Sequence, residues 1–357
     1  KTRSKVAKTV ENIAEELADI YAERKARKGF AFAADDLEMQ KFELRFEFEE
    51  TRDQLDVISS VKADMEKEMP MDRLICGDVG FGKTEIAMRA AFKAVQQEKQ
   101  VAVLVPTTIL AQQHFETFCR RFEDTPFIIE VISRFRTAAE QKKIIKRLQE
   151  GKIDVLIGTH RMLSTDVKFK ELGLLVVDEE QRFGVRHKEK IKRFRASVDV
   201  LTLSATPIPR TLHMSLMGIR DLSLVNTPPA DRRAVRTRLL PANDYIIQEA
   251  VSREIRRGGQ VYIVHNRIDT IYEYGRYLDS ILPNVKIVIG HGQMREEKLE
   301  KVMMEFIEGE FDVLLSTTII ESGLDITNAN TIIINNAHIF GLSQLYQLRG
   351  RVGRSNV

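Results

Sequence analysis

The chain has 357 residues, 43% hydrophobic and 30% charged, which are ordinary proportions for a globular protein with room for two or more domains. Its 55 basic and 52 acidic residues nearly cancel to +3, excluding nucleic-acid binding through a global field, so any such contact must come from local basic patches. Two cysteines, Cys76 and Cys119, are too few for a disulfide framework and lack metal-site spacing. No signal-peptide pattern and no run of about eighteen apolar residues is present, so the chain reads as cytoplasmic with no membrane partner. A first residue of Lys1 suggests a piece of something longer.

Val6, Val10, Ile13, Leu17 and Ile20 recur at helical spacing among Lys, Glu and Arg, predicting a long amphipathic helix. Its apolar stripe either packs on its own domain or relays motion from an upstream one. Gly29 stops it, and residues 30–48 read as a linker of mixed character.

Leu74-Ile75-Cys76 then runs into Gly77-Asp78-Val79-Gly80-Phe81-Gly82-Lys83-Thr84, with Glu85 and a helical stretch behind it. In this G-x-x-x-x-G-K-T pattern the glycines turn backbone N–H groups toward phosphate oxygens. Lys83 supplies a point charge to the outer phosphates, and the Thr84 hydroxyl suits Mg²⁺ at a helix N-terminus. Up to about Val225, β-branched runs at 101–105, 128–132, 153–157, 174–177 and 200–203 alternate with helical stretches, predicting a parallel sheet with helices on both faces. The run from Leu172 to Val177 ends in Asp178-Glu179-Glu180-Gln181, a Walker B pattern. Asp178 there suits Mg²⁺ through water, and Glu179 suits orienting and deprotonating the attacking water. Ser204-Ala205-Thr206 follows a further strand and places two hydroxyls to couple the nucleotide site to a second surface. His187, Lys188, Lys190, Lys192, Arg193 and Arg195 read as a solvated helix face.

Residues 226–236, with Pro228-Pro229, read as a linker, and the alternation restarts at 261–264, 286–289, 313–315 and 331–334. Gln347-Leu348-Arg349-Gly350-Arg351-Val352-Gly353-Arg354 sets arginines on a Gly-relieved backbone near the end, where one more strand is expected, so the second sheet is expected to be incomplete. In a chain with Walker motifs, Arg351 and Arg354 are expected to reach the γ-phosphate, an arginine-finger contribution of roughly 10³ to 10⁵ in rate.

The ordered segments GDVGFGKT, PTTILAQQH, GTHRML, DEEQ, SATPIPRT, HGQM, TTIIESGLDI and QLRGRVGR resemble the motifs of superfamily 2 helicases. From Lys1 to Ser355 the chain most resembles the translocase module of the bacterial transcription-repair coupling factor (Mfd) family, with the branched-DNA motors of the RecG family next. DEEQRFGVRHKEK and MGIRDLS favour the former, and PIPRTL is shared.

That resemblance implies an α/β fold of two tandem RecA-like parallel-sheet domains: 1–44 a connecting helix and linker, 45–226 the first domain, 227–357 the second. It implies that Gln54 reads adenine with Phe48 stacking on it. Gly323 and Asp325 are implied to contact ribose or γ-phosphate, and Arg351 is the stronger finger candidate. For DNA it implies Thr107, Thr108, Gln112, Thr159, His160 and Arg161 on the first domain, with Asn266, Arg267, His291, Gly292, Gln293, Thr317 and Thr318 on the second. Such residues suit phosphate contacts that fix register without reading sequence. The tip Arg134-Phe135-Arg136 is either a surface loop or a further DNA contact. The expected activity is ATP- and Mg²⁺-dependent translocation on double-stranded DNA by a monomer. RNA polymerase and repair proteins are expected partners through domains outside this sequence. A RecG-like fork remodeller and an ATP-gated DNA-binding switch are the alternatives.

Overall fold

The computed structural model describes residues 26, 28–195, 197–205, 221–229, 235–318, 326 and 328–353. The predicted helix through Val6 and Ile20 lies outside these residues, as do Thr206, Gly323, Asp325 and Arg354. The chain divides into two units, Lys1–Pro229 and Ala230–Val357.

Among the described residues of the first unit, seven parallel strands run in the order β3-β4-β2-β5-β6-β1-β7. They are β1 (Asp72–Gly77), β2 (Gln100–Leu104), β3 (Ile129–Ile132), β4 (Val155–Gly158), β5 (Leu172–Asp178), β6 (Asp199–Ser204) and β7 (Asp221–Val225). The edge strand β7 has no run in the sequence reading; Asp-Leu-Ser-Leu-Val mixes polar and apolar residues as an edge permits. The pleat explains why the central strands are apolar throughout: Val101 and Val103 enter one core cluster while Ala102 and Leu104 enter the other, and Leu174 and Val176 divide from Leu175 and Val177 in the same way. Each fully buried Val, Leu or Ile contributes roughly 1.5–3 kcal/mol.

The helices of this unit are α1 (Leu37–Leu44), α2 (Arg52–Met65), α3 (Lys83–Val95), α4 (Thr108–Arg121), α5 (Ala138–Gln149) and α6 (Val185–Arg195). Their starts follow local chemistry. Thr51 and Gln54 form a capping box on α2, as Thr137 and Glu140 do on α5.

Residues 30–48, expected as a linker, are instead built into the first unit. Phe32, Met39 and Phe42 are buried in its core, and Phe42 stacks on Phe92 of α3 with centroids 4.0 Å apart. Charge closes the contact. Arg89 of α3, its side chain 3% exposed, reaches Glu85 (2.8 Å), Glu43 (3.3 Å) and Glu50 (2.5 Å). Lys93 holds Asp35 at 2.7 Å and Glu66 at 2.8 Å. The basic face of α6 also needs correcting: Arg195 is buried and holds Glu180 at 2.6 Å, while Lys190 Nζ donates to the Leu163 carbonyl at 2.8 Å.

Among the described residues the second unit has four parallel strands in the order β11-β8-β10-β9: β8 (Gln260–Val264), β9 (Ile287–Gly290), β10 (Val313–Ser316) and β11 (Ala329–Ile334). Its helices are α7 (Asp244–Arg256), α8 (Ile271–Ile281), α9 (Glu296–Ile307) and α10 (Leu342–Arg349). No described helix is long and apolar enough to cross a membrane.

Candidate functional site

Three adjacent strands of the first sheet end together. Cys76 of β1 pairs with Ser204 of β6, and Leu203 of β6 pairs with Asp178 of β5. The Gly77–Thr84 loop, Ala205 and the Asp178-Glu179 pair therefore emerge side by side at the carboxyl edge, where open parallel sheets place their ligands.

The loop is shaped by glycine. Gly80 has φ 79° and Gly82 has φ 73°, and a Cβ on Gly82 would stand 2.3 Å from Gln54 Nε2. Asp78 Oδ1 accepts from the Val79 N–H at 2.8 Å, closing the first turn. Lys83 Nζ donates to the carbonyls of Gly77 and Asp78, both at 2.7 Å, folding back over the loop. Lys83 and Thr84 open α3, so the N–H groups of its first turn lie at the loop.

Gln54 is buried and engaged at both ends of its amide: Nε2 donates to the Phe81 carbonyl at 3.0 Å, and Oε1 accepts from the Thr51 N–H at 2.8 Å. A carboxamide carries two donors and two acceptor lone pairs, so one of each is left over, the number an adenine edge requires. Phe48, expected to stack on adenine, is exposed and meets Phe46 edge-on at 5.5 Å. Glu85, expected among the nucleotide-binding residues behind the loop, has its buried carboxylate committed to Arg89 and to Arg121 of α4, and Arg121 binds both of its oxygens at 2.9 and 3.1 Å.

The two carboxylates after β5 sit in different surroundings. Asp178 Oδ2 lies 3.2 Å from Nε2 of His114 on α4. Glu179 adopts a left-handed conformation, φ 50° and ψ 50°, and is 5% exposed. Its Oε1 accepts from the Ala205 N–H at 2.9 Å, and its other oxygen accepts from Gln181. Burial, then the charge of Asp178, pushes the Glu179 carboxyl above its ordinary range, against the backbone donor and Lys83. His114 and the Ala205 N–H went unassigned in the sequence; His114 stands within PTTILAQQH, but its partner is 64 residues away.

The residues proposed for DNA separate by exposure. Thr107 caps α4, accepting from the Leu110 N–H at 3.3 Å, and Thr108, Thr159, His291 and Thr317 are buried. Thr318 is half-buried. Gln112, His160, Asn266, Arg267, Gly292 and Gln293 lie at or near the surface. His160 stacks on His187 with centroids 5.2 Å apart. Arg161 forks onto Asp166 at 2.8 and 2.6 Å, and Arg267 holds Asp269 at 2.8 Å. In the second unit, His291 Nε2 pairs with the Tyr272 hydroxyl at 2.9 Å, and Arg351 is buried at 2% exposure.

Residues 51–215 match the DEAD/DEAH box helicase family, and residues 242–356 match the helicase conserved C-terminal domain. Among solved structures, RecG bound to a three-way DNA junction superposes with a TM-score of 0.82 at 36% identity, covering 97% of this chain and 47% of that one. The DEAD-box helicase Mss116 shares the fold alone, with a TM-score of 0.67 at 14% identity over 92% of this chain and 74% of its own. The two units thus define a helicase-type module of the DEAD/DEAH box class. Over its whole length the chain is 57% identical to the transcription-repair-coupling factor of Bacillus subtilis (strain 168), and over 99% of its length 58% identical to that of Myxococcus xanthus. It belongs to the transcription-repair-coupling factor family and spans 30% of the length of either relative.

Proposed function

We propose that this chain is an ATP-driven motor on double-stranded DNA which, within a longer factor, pushes against stalled RNA polymerase so that repair proteins can follow. The observation that carries the chemistry is the gathering of Lys83, Asp178 and Glu179 at the carboxyl ends of β1 and β5, the two strands that flank β6. Bound phosphates would replace the Gly77 and Asp78 carbonyls as partners of Lys83. The Thr84 hydroxyl and Asp178 carboxylate form a hard-oxygen donor set that suits Mg²⁺, which when bound offsets the phosphate charge. Glu179, anchored by the Ala205 N–H, orients the attacking water and takes its proton. Gln54 and Phe48 hold the base, Gly323 and Asp325 contact ribose or phosphate, and Arg351 and Arg354 bring charge to the γ-phosphate.

DNA is held by its backbone. The exposed side chains of His160, Asn266, Arg267 and Gln293 and the half-buried ones of Gln112 and Arg161 contact phosphates. Buried Thr108, Thr159, His291 and Thr317 contribute mainly through backbone N–H groups. The grip is sequence-independent and weakens as salt rises.

The test is displacement of a third strand from unbranched duplex, read together with ATP turnover, for this chain and for the longer factor. Duplex-stimulated turnover with displacement supports the motor; no turnover and no displacement in either chain defeats it. The likeness to RecG favours one second reading, a fork remodeller, which would act on junctions and leave the unbranched triplex intact. A nucleotide-gated switch would change DNA affinity on ATP binding with no turnover.

A further inference from the structure

Helix α4 joins three places that lie far apart in sequence. Its first turn holds Thr107 and Thr108, its middle holds His114, and its last turn holds Arg121. At about 1.5 Å per residue, His114 stands about 9 Å along the rod from Thr108 and Arg121 about 20 Å. At the far end Arg121 grips both oxygens of Glu85, the residue after Thr84. Displacing α4 therefore strains the helix that carries Lys83 and Thr84.

The middle attachment is the informative one. His114 is 7% exposed, its ring 6.4 Å from that of Phe118, and Nε2 lies 3.2 Å from Asp178 Oδ2. A carboxylate oxygen accepts, so Nε2 supplies the N–H of this contact. Nδ1 is buried and finds no partner among the described residues. A Leu or Phe would fill this slot without that unsatisfied nitrogen, so packing alone does not account for an imidazole here. Asp178 has a reason to need it: the next residue is a buried carboxylate of the same sign, and an N–H on Oδ2 fixes Asp178 against that repulsion.

We propose that His114 is a positioning residue for the Walker B carboxylate, holding Asp178 from the same helix whose first turn meets DNA, so that grip on DNA and grip on the metal–nucleotide are mechanically joined. The positioning part rests on the contacts above, and the joining rests on the motor reading.

The experiment titrates Mn²⁺ into the protein bound to a non-hydrolysable ATP analogue, followed by electron paramagnetic resonance, with and without duplex DNA. His114→Ala and His114→Asn, whose groups do not reach Asp178, weaken Mn²⁺ binding roughly 10-fold and abolish its response to DNA, and raise the Mg²⁺ needed for half-maximal turnover in parallel. Nucleotide binding in chelator stays at the wild-type value. His114→Gln, whose amide N–H stands where Nε2 stood, keeps Mn²⁺ affinity to within about threefold. Wild-type Mn²⁺ affinity in His114→Asn overturns the proposal. So does a His114→Gln as weak as His114→Ala, which would make the ring a packing element. A wild-type protein that binds Mn²⁺ normally but never turns over ATP on DNA would strike the motor reading and leave the positioning result standing.

Discussion

Laid side by side, the two units use one frame. In the first, Gln100 at the start of β2 donates to the carbonyls of Leu148 and Ile153 at 3.0 and 2.8 Å; in the second, Gln260 at the start of β8 donates to those of Phe306 and Phe311 at 2.6 and 2.8 Å. Asp154 before β4 accepts from the Ile128 N–H at 2.7 Å, and Asp312 before β10 accepts from the Lys286 N–H at 2.8 Å. Strand orders β3-β4-β2-β5 and β9-β10-β8-β11 correspond. The frames part at one turn. β5 ends in Asp178, followed by a left-handed Glu179 at φ 50°; β11 is followed by Asn335 and a left-handed Asn336 at φ 53°. Both residues before the left-handed one bear on an imidazole, Asp178 on His114 and Asn335 on His265, but only the first pair carries charge. Asn tolerates the left-handed turn at little cost, so the second unit keeps the geometry and drops the acid; a Glu held there in the first unit marks a site where shape alone was not the requirement.

The first unit differs also in its clasp of buried charge, where Arg89 and Arg121 meet Glu43, Glu50 and Glu85. Cutting that clasp has the largest expected effect on stability. Arg89→Met takes the shared cation from Glu85, which keeps Arg121, from Glu43, which keeps Lys62, and from half-buried Glu50, and lowers the first unit's stability by about 3 kcal/mol, read by denaturant unfolding with hydrogen exchange to separate the units. Equal loss in both units would contradict a clasp local to the first.

The shared frame is tested by Gln100→Leu and Gln260→Leu. Each removes the shared side-chain donor from two carbonyls, of which Leu148 and Phe306 keep a backbone N–H from Gly151 and Gly309, and costs its own unit about 1–3 kcal/mol. A cost in one unit only would show the correspondence to be superficial.

Proton linkage gives the smallest and most discriminating contrast. Glu179 has a raised pKa, so its contribution is present below the ordinary glutamate value of 4.5 and is lost as pH rises through its folded value. Glu179→Gln should thus match wild-type stability in acid and exceed it increasingly as pH climbs. Glu50 shifts the other way: burial raises it, but the hydrogen bond and charge of Arg89 outweigh burial and hold it below 4.5. The stability gap between wild type and Arg89→Met should be full above that value and narrow as pH falls through the folded Glu50 pKa. Wild type is thus expected to lose ground to Glu179→Gln and gain it on Arg89→Met as pH climbs; gaining on both, or losing to both, would refute this division of roles.

Much of this was legible because the informative residues are punctuation at strand ends. Glycines and Lys83 after β1, and carboxylates after β5, stand out against apolar strands whatever the tertiary packing. The clasp was not legible: Met39 and Phe42 share one face of a two-turn helix too short for its period to stand out among charged residues, and the partners of Phe42 lie on α3 and α4. Arg195 read as solvent-facing because its neighbours are basic, although its partners Glu180 and Asp72 come from elsewhere in the fold. The roles of His114 and of the second amide end of Gln54 depend on contacts 64 and 27 residues away, which spacing does not encode.

The central claim is that the turn after β5 does chemistry which its counterpart after β11 does not. The most direct measurement is ATP affinity and duplex-stimulated turnover for Glu179→Gln. The account predicts unchanged affinity and turnover lower by roughly 10²-fold or more. Turnover near the wild-type rate would contradict it.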